Sequence, residues 1–194
     1  MLSFYYENPD EVQVGVDEAG KGCMIGPVFS AAVIWNKDID ASDIKDSKKI
    51  SRKKRPLVRK YIEENAIAYG VGSATHEEID NINISNATFL AMHRALEQIN
   101  IDYDRILVDG NRFKPFRCAA HTCVVGGDNI YVNIAAASIL AKEYHDDWIK
   151  EHFGDDDKYD LMQNKGYGTR KHLAALRQYG LNDFHRRTYC TKFI

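Results

Sequence analysis

Four acidic residues, Asp17, Glu18, Asp109 and Asp146, stand where metal-assisted hydrolysis would use them. Asp17 and Asp109 each close an apolar run, Val12 to Val16 and Arg105 to Val108, that leads into a glycine-containing turn. In an open α/β sheet the carboxyl ends of strands converge on one site. Side chains alternate faces along a strand, so Asp17 and Glu18 serve one site only where the strand ends or bulges. Gly20 and Gly22 give the backbone that freedom. Ser138, Lys142 and Asp146 are spaced by four, a polar stripe along an alanine-rich helix that would bring a fourth carboxylate to the strand ends. Gathered carboxylates repel one another and require cations. Hard oxygen ligands without a histidine or thiolate suit Mg2+ or Mn2+. Two such ions about 4 Å apart can activate a water on one side of a phosphorus and stabilise the leaving oxygen on the other. Taken singly, the acids have plainer readings. Asp-Gly after a strand is ordinarily a turn, Lys142 with Asp146 is a helical ion pair worth little, and Asp155-Asp156-Asp157 is a solvated loop.

The elements that must carry these residues are legible in the pattern. Val12 to Val16 and Val28 to Trp35 predict two strands joined by the turn chemistry of Gly20-Lys21-Gly22 and Gly26-Pro27. Lys45 to Lys60 is densely basic, with Ser51 as the expected cap of a helix carrying Leu57, Val58, Tyr61 and Ile62. Ala66 to Val71 predicts a third strand. Thr75 to Ile99 has helical spacing, with Ser85 or Asn86 as a cap. Short strands are expected from Arg105 to Val108 and from Ala119 to Val125, then helices from Ile134 to Lys150 and around Lys171 to Tyr179. Strands alternating with helices after an initial hairpin predict an α/β fold, a mixed central sheet flanked by helices.

Composition narrows the classes. A chain of 194 residues has room for one domain with a real core. The net charge of −2 requires any nucleic-acid partner to be held by local basic patches. The start lacks the basic and apolar segments of a signal peptide, and no apolar run could span a bilayer, so no membrane partner is expected. The 4 cysteines have neither CxxC spacing nor a disulfide-dense pattern, which suits free thiols in a reducing cytoplasm. The 7 histidines show no metal or triad spacing.

The wording around the acids resembles ribonuclease HII at several separated places. Gly15-Val16-Asp17-Glu18-Ala19-Gly20-Lys21-Gly22 with Gly26-Pro27-Val28 is similar to that family's opening motif, and Asp46-Ser47-Lys48-Lys49-Ile50-Ser51 to its DSKK-type segment. Val108-Asp109-Gly110-Asn111 resembles the third block. Gly127-Asp128 with Ile134 to Lys142, and Asp146 four residues on, resembles the fourth. Lys165-Gly166-Tyr167-Gly168-Thr169 and His185-Arg186-Arg187 resemble the carboxyl-terminal blocks, and the motifs run in family order.

The resemblance implies one ribonuclease H-like catalytic domain over residues 1–194, with a small helical carboxyl-terminal segment from about 160 that contacts substrate. It implies an Mg2+- or Mn2+-dependent endonuclease that cuts RNA in RNA–DNA hybrids and 5′ to ribonucleotides embedded in duplex DNA, leaving 5′-phosphate and 3′-hydroxyl ends. Asp17, Glu18, Asp109 and Asp146 are the acids it maps. The loop Gly20-Lys21-Gly22 and Tyr167 would read the RNA-to-DNA junction through the 2′-hydroxyl. Lys48, Lys49, Arg186 and Arg187 are candidates for phosphate contacts. A cytoplasmic monomer without a sliding-clamp peptide is expected. Three departures stand out. Lys21 replaces the family's usual arginine and loses its planar fork, Cys23 replaces a common proline, and Gly126 a common lysine. The competing readings are another nuclease of this fold and a catalytically silent nucleic-acid-binding module.

Overall fold

The computed structural model describes residues 2–154 and 157–193, and the side chain of Lys48 is outside that description. Asp155 and Asp156 of the expected solvated loop therefore lie outside the described residues.

Five strands form one sheet: β1 (Gln13–Ala19), β2 (Val28–Ile34), β3 (Ala68–Ala74), β4 (Arg105–Asp109) and β5 (Ala120–Val124), in the order β3-β2-β1-β4-β5. The first three form an antiparallel meander, whereas β4 runs parallel to β1 and β5 parallel to β4. The carboxyl ends of β1, β4 and β5 therefore lie side by side at one edge of the molecule. The expected mixed sheet flanked by helices is what forms. β1 extends past the predicted end, so Asp17 and Glu18 are inside the strand and pair across to Ala31 and Ser30.

The helices are α1 (Arg55–Asn65), α2 (His76–Leu96), α3 (Val132–Phe153), α4 (Leu161–Asn164), α5 (Arg170–Tyr179) and α6 (Arg187–Cys190). The period of two along the strands decides what each face buries. Val14, Val16, Ala32, Ile34, Ile106 and Val108 face α2, packing with Met92, Ala95 and Leu96. Ala31 and Val33 face the other way, onto α3 and α1. The run of alanines at Ala135, Ala136 and Ala137 lets α3 lie close to the sheet, and all three are fully buried. Gly15 completes that fit, since a Cβ there would stand 2.3 Å from the Asn133 carbonyl carbon. Asn133 ties the layers, donating from Nδ2 to the Gln13 carbonyl at 2.7 Å and accepting from the Trp35 amide at 2.9 Å.

Two helix starts differ from the sequence expectation. α1 begins after Lys54 with Pro56 in its first turn, and Ser51 supplies a carbonyl to the preceding turn rather than a side-chain cap. α2 starts at a capping box between Thr75 and Glu78, then breaks at Asn83 (φ 64°, ψ 163°). Asn83, not Ser85 or Asn86, caps the second half: its Oδ1 accepts from the amides of Ser85 and Asn86 at 3.0 and 3.2 Å. No helix among the described residues is long and apolar enough to cross a membrane.

Candidate active site

The strand ends open onto a cleft of about 550 Å³ lined by Asp17, Glu18, Asp109, Ser47, Arg52, Arg55, Ser138, Lys142 and Tyr167, among others. Asp17 is on the α3 side of β1, and Glu18, one residue on, points to the other face. Both border the cleft because the strand finishes at Ala19 and the chain turns at Gly20, whose φ is +85°. A Cβ at Gly20 would also meet the His145 ring at 2.5 Å.

Asp17 is 7 % exposed and accepts from the Glu18 amide at 2.6 Å. Burial, reinforced by the charges of Glu18, Asp109 and Asp128, pushes its carboxyl well above the ordinary carboxylate range. Asp109 accepts from the Gly127 amide at 2.8 Å, which fixes the turn after β5 against the end of β4. That turn, Gly127–Asn129, carries Asp128, 3 % exposed and bonded to Asn129 Nδ2 at 2.8 Å. Acids thus arrive from the ends of three adjacent parallel strands: Asp17 and Glu18 from β1, Asp109 from β4 and Asp128 from just beyond β5. The sequence held a weaker signal for Asp128, a Gly-Asp shortly after the expected strand Ala119 to Val125.

Asp146 is placed differently. Like Asp128, which borders a neighbouring cavity, it does not line the cleft, but its carboxylate is occupied by Lys142 at 2.7 Å, His145 Nδ1 at 3.2 Å and Arg55 at 3.5 Å. Burial opposes its ionisation, but the hydrogen bonds and charges of His145 and Lys142 outweigh burial and hold it at about 2. The helical stripe is thus a partly buried ion network, with Ser138 turned to bond Ser47 of the DSKK segment at 2.9 Å. Arg55, 6 % exposed, also meets Glu143 at 3.4 Å, while its Nε has no hydrogen-bond partner.

Tyr167 lines the same cleft and stands beside the Gly20-Lys21-Gly22 loop. The loop and the tyrosine are joined by an isolated bridge between Cys23 and Tyr167, and a Cβ on Gly22 would lie 3.4 Å from the Tyr167 ring. Tyr167 is 44 % exposed, yet burial, with Cys23 and Asp146 adding to it, pushes its hydroxyl up to about 12, so the phenol keeps its proton. Lys21 is exposed and meets Glu18 at 3.4 Å. Lys49 is exposed beside Asn129, and Arg187 is exposed with its amide bonded to Asp80 at 2.8 Å.

Arg186 corrects the sequence expectation. Fully buried, it donates from Nε to the Gly26 carbonyl (2.9 Å), from Nη1 to Lys21 (3.0 Å) and from Nη2 to Gly20 (2.7 Å). A guanidinium whose nitrogens are all directed at backbone carbonyls inside the protein is no surface phosphate contact.

The ribonuclease HII sequence profile matches residues 14–192. The ribonuclease HII of Parabacteroides distasonis is 48 % identical over 184 residues, covering 95 % of this chain and 92 % of its own length. The chain belongs to the ribonuclease HII family. It is accordingly an enzyme, a ribonuclease H-type hydrolase. The fold agrees: ribonuclease H2 of Pyrococcus horikoshii superposes with a TM-score of 0.75 at 24 % identity, covering 91 % of this chain and 92 % of that one. Bst-RNase HIII, whose structure was solved in complex with Mn2+, superposes with a TM-score of 0.60 at 18 % identity, covering 87 % of this chain and 62 % of that one.

Within this ribonuclease HII fold, the all-oxygen character of the acid cluster and the forced-up carboxyl of Asp17 fit a divalent cation. Among the described residues no three His, Cys, Asp or Glu side chains form a ready-made cage. Mg2+ tolerates this, since it ordinarily keeps several waters and takes one or two carboxylates together with substrate phosphate oxygens.

Proposed function

We propose that this ribonuclease cleaves the RNA strand of RNA–DNA hybrids and cuts 5′ to ribonucleotides embedded in duplex DNA, leaving 5′-phosphate and 3′-hydroxyl ends. The observation that carries this is that Asp17, Glu18 and Asp109 line one cleft together with Tyr167, which is bridged to the glycine loop at Cys23. Asp17, Glu18 and Asp109 hold divalent ions, and Asp128 completes the set in place of Asp146. Mg2+ or Mn2+, bound there with the substrate, supplies an activated water and stabilises the leaving oxygen.

The chain's own residues bind and orient. Gly20 and Gly22 let backbone amides and carbonyls approach a sugar, where the 2′-hydroxyl both donates and accepts. Tyr167, its ring half exposed beside Gly22, packs on the sugar that follows the ribonucleotide. Arg52 and Arg55 line the same cleft, where they would meet a phosphate backbone. Lys49 and Arg187, both exposed, add phosphate contacts outside it. Asp146 acts through its neighbours, holding Lys142 and Arg55 in place. The cellular role that follows is the removal of ribonucleotides from DNA.

Asp109→Asn tests the assignment. The variant keeps a group that accepts from the Gly127 amide but loses the charge, so cleavage of an RNA–DNA hybrid in Mg2+ is abolished while the thermal melt is preserved. An active Asp109→Asn enzyme would overturn the proposal.

A further inference from the structure

The loop Gly20 to Gly26 has no regular structure of its own and is held from outside. The Met24 amide donates to the Gly166 carbonyl (2.8 Å), the Gly26 amide to Phe184 (2.9 Å) and the Arg186 amide to Met24 (2.8 Å). The loop is therefore threaded between the turn bearing Tyr167 and the segment bearing His185 and Arg186.

Arg186 spans that loop. Its three donating nitrogens take carbonyls from Gly20, Lys21 and Gly26, closing both ends with one rigid fork. Tyr189, whose ring lies 5.3 Å from the guanidinium carbon, adds its hydroxyl to the Lys21 carbonyl at 3.1 Å. Its neighbour His185 serves the other half of the site through a second buried histidine. His185 Nδ1 stands 2.9 Å from the Asn182 amide and 3.3 Å from the Asn182 carbonyl, so the far end of the relay decides its role. The Tyr167 carbonyl can only accept from His172 Nδ1, which leaves His172 Nε2 bare and the His185 proton on Nε2. His185 Nε2 and His172 Nε2 are 3.0 Å apart, so His172 accepts there and carries its own proton on Nδ1. That proton is donated to the Tyr167 carbonyl at 3.1 Å. Both rings are buried, and Tyr159 presses on both, at 4.8 Å from His185 and 5.8 Å from His172 between centroids. The relay ends on the residue that faces the cleft.

We propose that the dipeptide His185-Arg186 is a positioning device for ribose recognition: Arg186 sets the shape of the glycine loop, and His185, through His172, sets the place of Tyr167. This rests on the reading that loop and tyrosine sense the RNA-to-DNA junction. None of the three residues touches substrate.

Two substitutions at His172 separate this role from plain packing. His172→Asn can still donate from near the Nδ1 position to the Tyr167 carbonyl but cannot reach His185. His172→Gln can accept from His185 but leaves the Tyr167 carbonyl without its donor. The readout is the ratio of kcat/KM on a duplex with one embedded ribonucleotide to that on an RNA–DNA hybrid, in Mg2+, with thermal melts alongside. His172→Gln lowers the ratio about tenfold, the worth of one hydrogen bond, while His172→Asn, which keeps that donor but loses the His185 link that orients it, lowers it by a smaller factor of about three. Arg186→Lys raises KM for the lone-ribonucleotide duplex and leaves the salt dependence of binding unchanged, because no phosphate contact is lost. A parental ratio in His172→Asn, equal ratios in His172→Gln and His172→Asn, or a shallower salt dependence in Arg186→Lys, overturn the positioning role. A parent enzyme that does not cut the lone-ribonucleotide duplex overturns it as well, through failure of the junction reading.

Discussion

Replacing Asp146 and Asp128 by asparagine tests the proposal that the first holds the fold and the second serves the chemistry. Asp146 is 13 % exposed at its side chain and bonded to Lys142, His145 and Arg55. Its carboxyl falls from 3.8 to about 2. A depressed carboxylate contributes stability that is complete above its unfolded value and lost as pH falls through the folded one, so at neutral pH all of it is present. The displacement corresponds to roughly 2.5 kcal/mol. Arg55 retains Glu143 at 3.4 Å after the change, which keeps the cost below the roughly 3–5 kcal/mol of stranding a buried charge. Asp146→Asn is expected to lower the melting temperature by about 5–10 °C and to retain cleavage at a temperature where it is folded. Asp128→Asn removes a charge that crowds Asp17, so its melt is unchanged or slightly raised. Its cleavage falls on the order of a hundredfold or more. Circular-dichroism melts paired with initial rates on a labelled RNA–DNA hybrid measure both. An inactive Asp146→Asn with an unchanged melt, or a fully active Asp128→Asn, would refute the reasoning.

Two further outcomes follow from the packing. Gly15→Ala places a methyl 2.3 Å from the Asn133 backbone and 2.4 Å from the Ile134 amide nitrogen, forcing α3 off the sheet. A loss of about 3 kcal/mol is expected in denaturant unfolding, and a neutral substitution would contradict the close approach. His185 is pushed down to about 4, chiefly by burial and then by the charge of His172. A depressed histidine contributes stability that is full above about 6.5 and drains as pH falls toward 4. Unfolding free energy should drop by roughly 2 kcal/mol from this group between pH 7 and pH 5. The drop should be correspondingly smaller in His185→Asn, and equal pH dependence in the two proteins would count against the neutral pair.

Much of the fold was legible because its signals are local. Apolar β-branched runs ending in Asp-Glu and Asp-Gly marked β1 and β4, and the alanine-rich segment marked α3. The cleft was legible in part: strand-end logic located Asp17, Glu18 and Asp109. The same logic was not carried to Gly127-Asp128, since that acid stands beyond the expected strand, in the turn after β5, rather than at the strand's last residue as Asp109 does. Asp146 illustrates the opposite limit. Helical spacing identified its partner Lys142, but whether a stripe on a 22-residue helix faces the strand ends depends on where the helix docks, and Gly15 and Asn133 decide that from far along the chain. Arg186 was misjudged for the same reason. Arginine in a basic tail is ordinarily solvated, and only the return of the carboxyl-terminal segment onto the Gly20–Gly26 loop, some 160 residues away in sequence, buries it.

The account is tested most directly by one set of end-labelled duplexes, carrying a single ribonucleotide in DNA, all DNA, or an RNA–DNA hybrid, incubated with Mg2+, with Mn2+ or with EDTA. A metal-dependent cut on the 5′ side of the lone ribonucleotide, with the all-DNA duplex intact, is the predicted result. Cutting of the hybrid alone, or cutting that persists in EDTA, would contradict it.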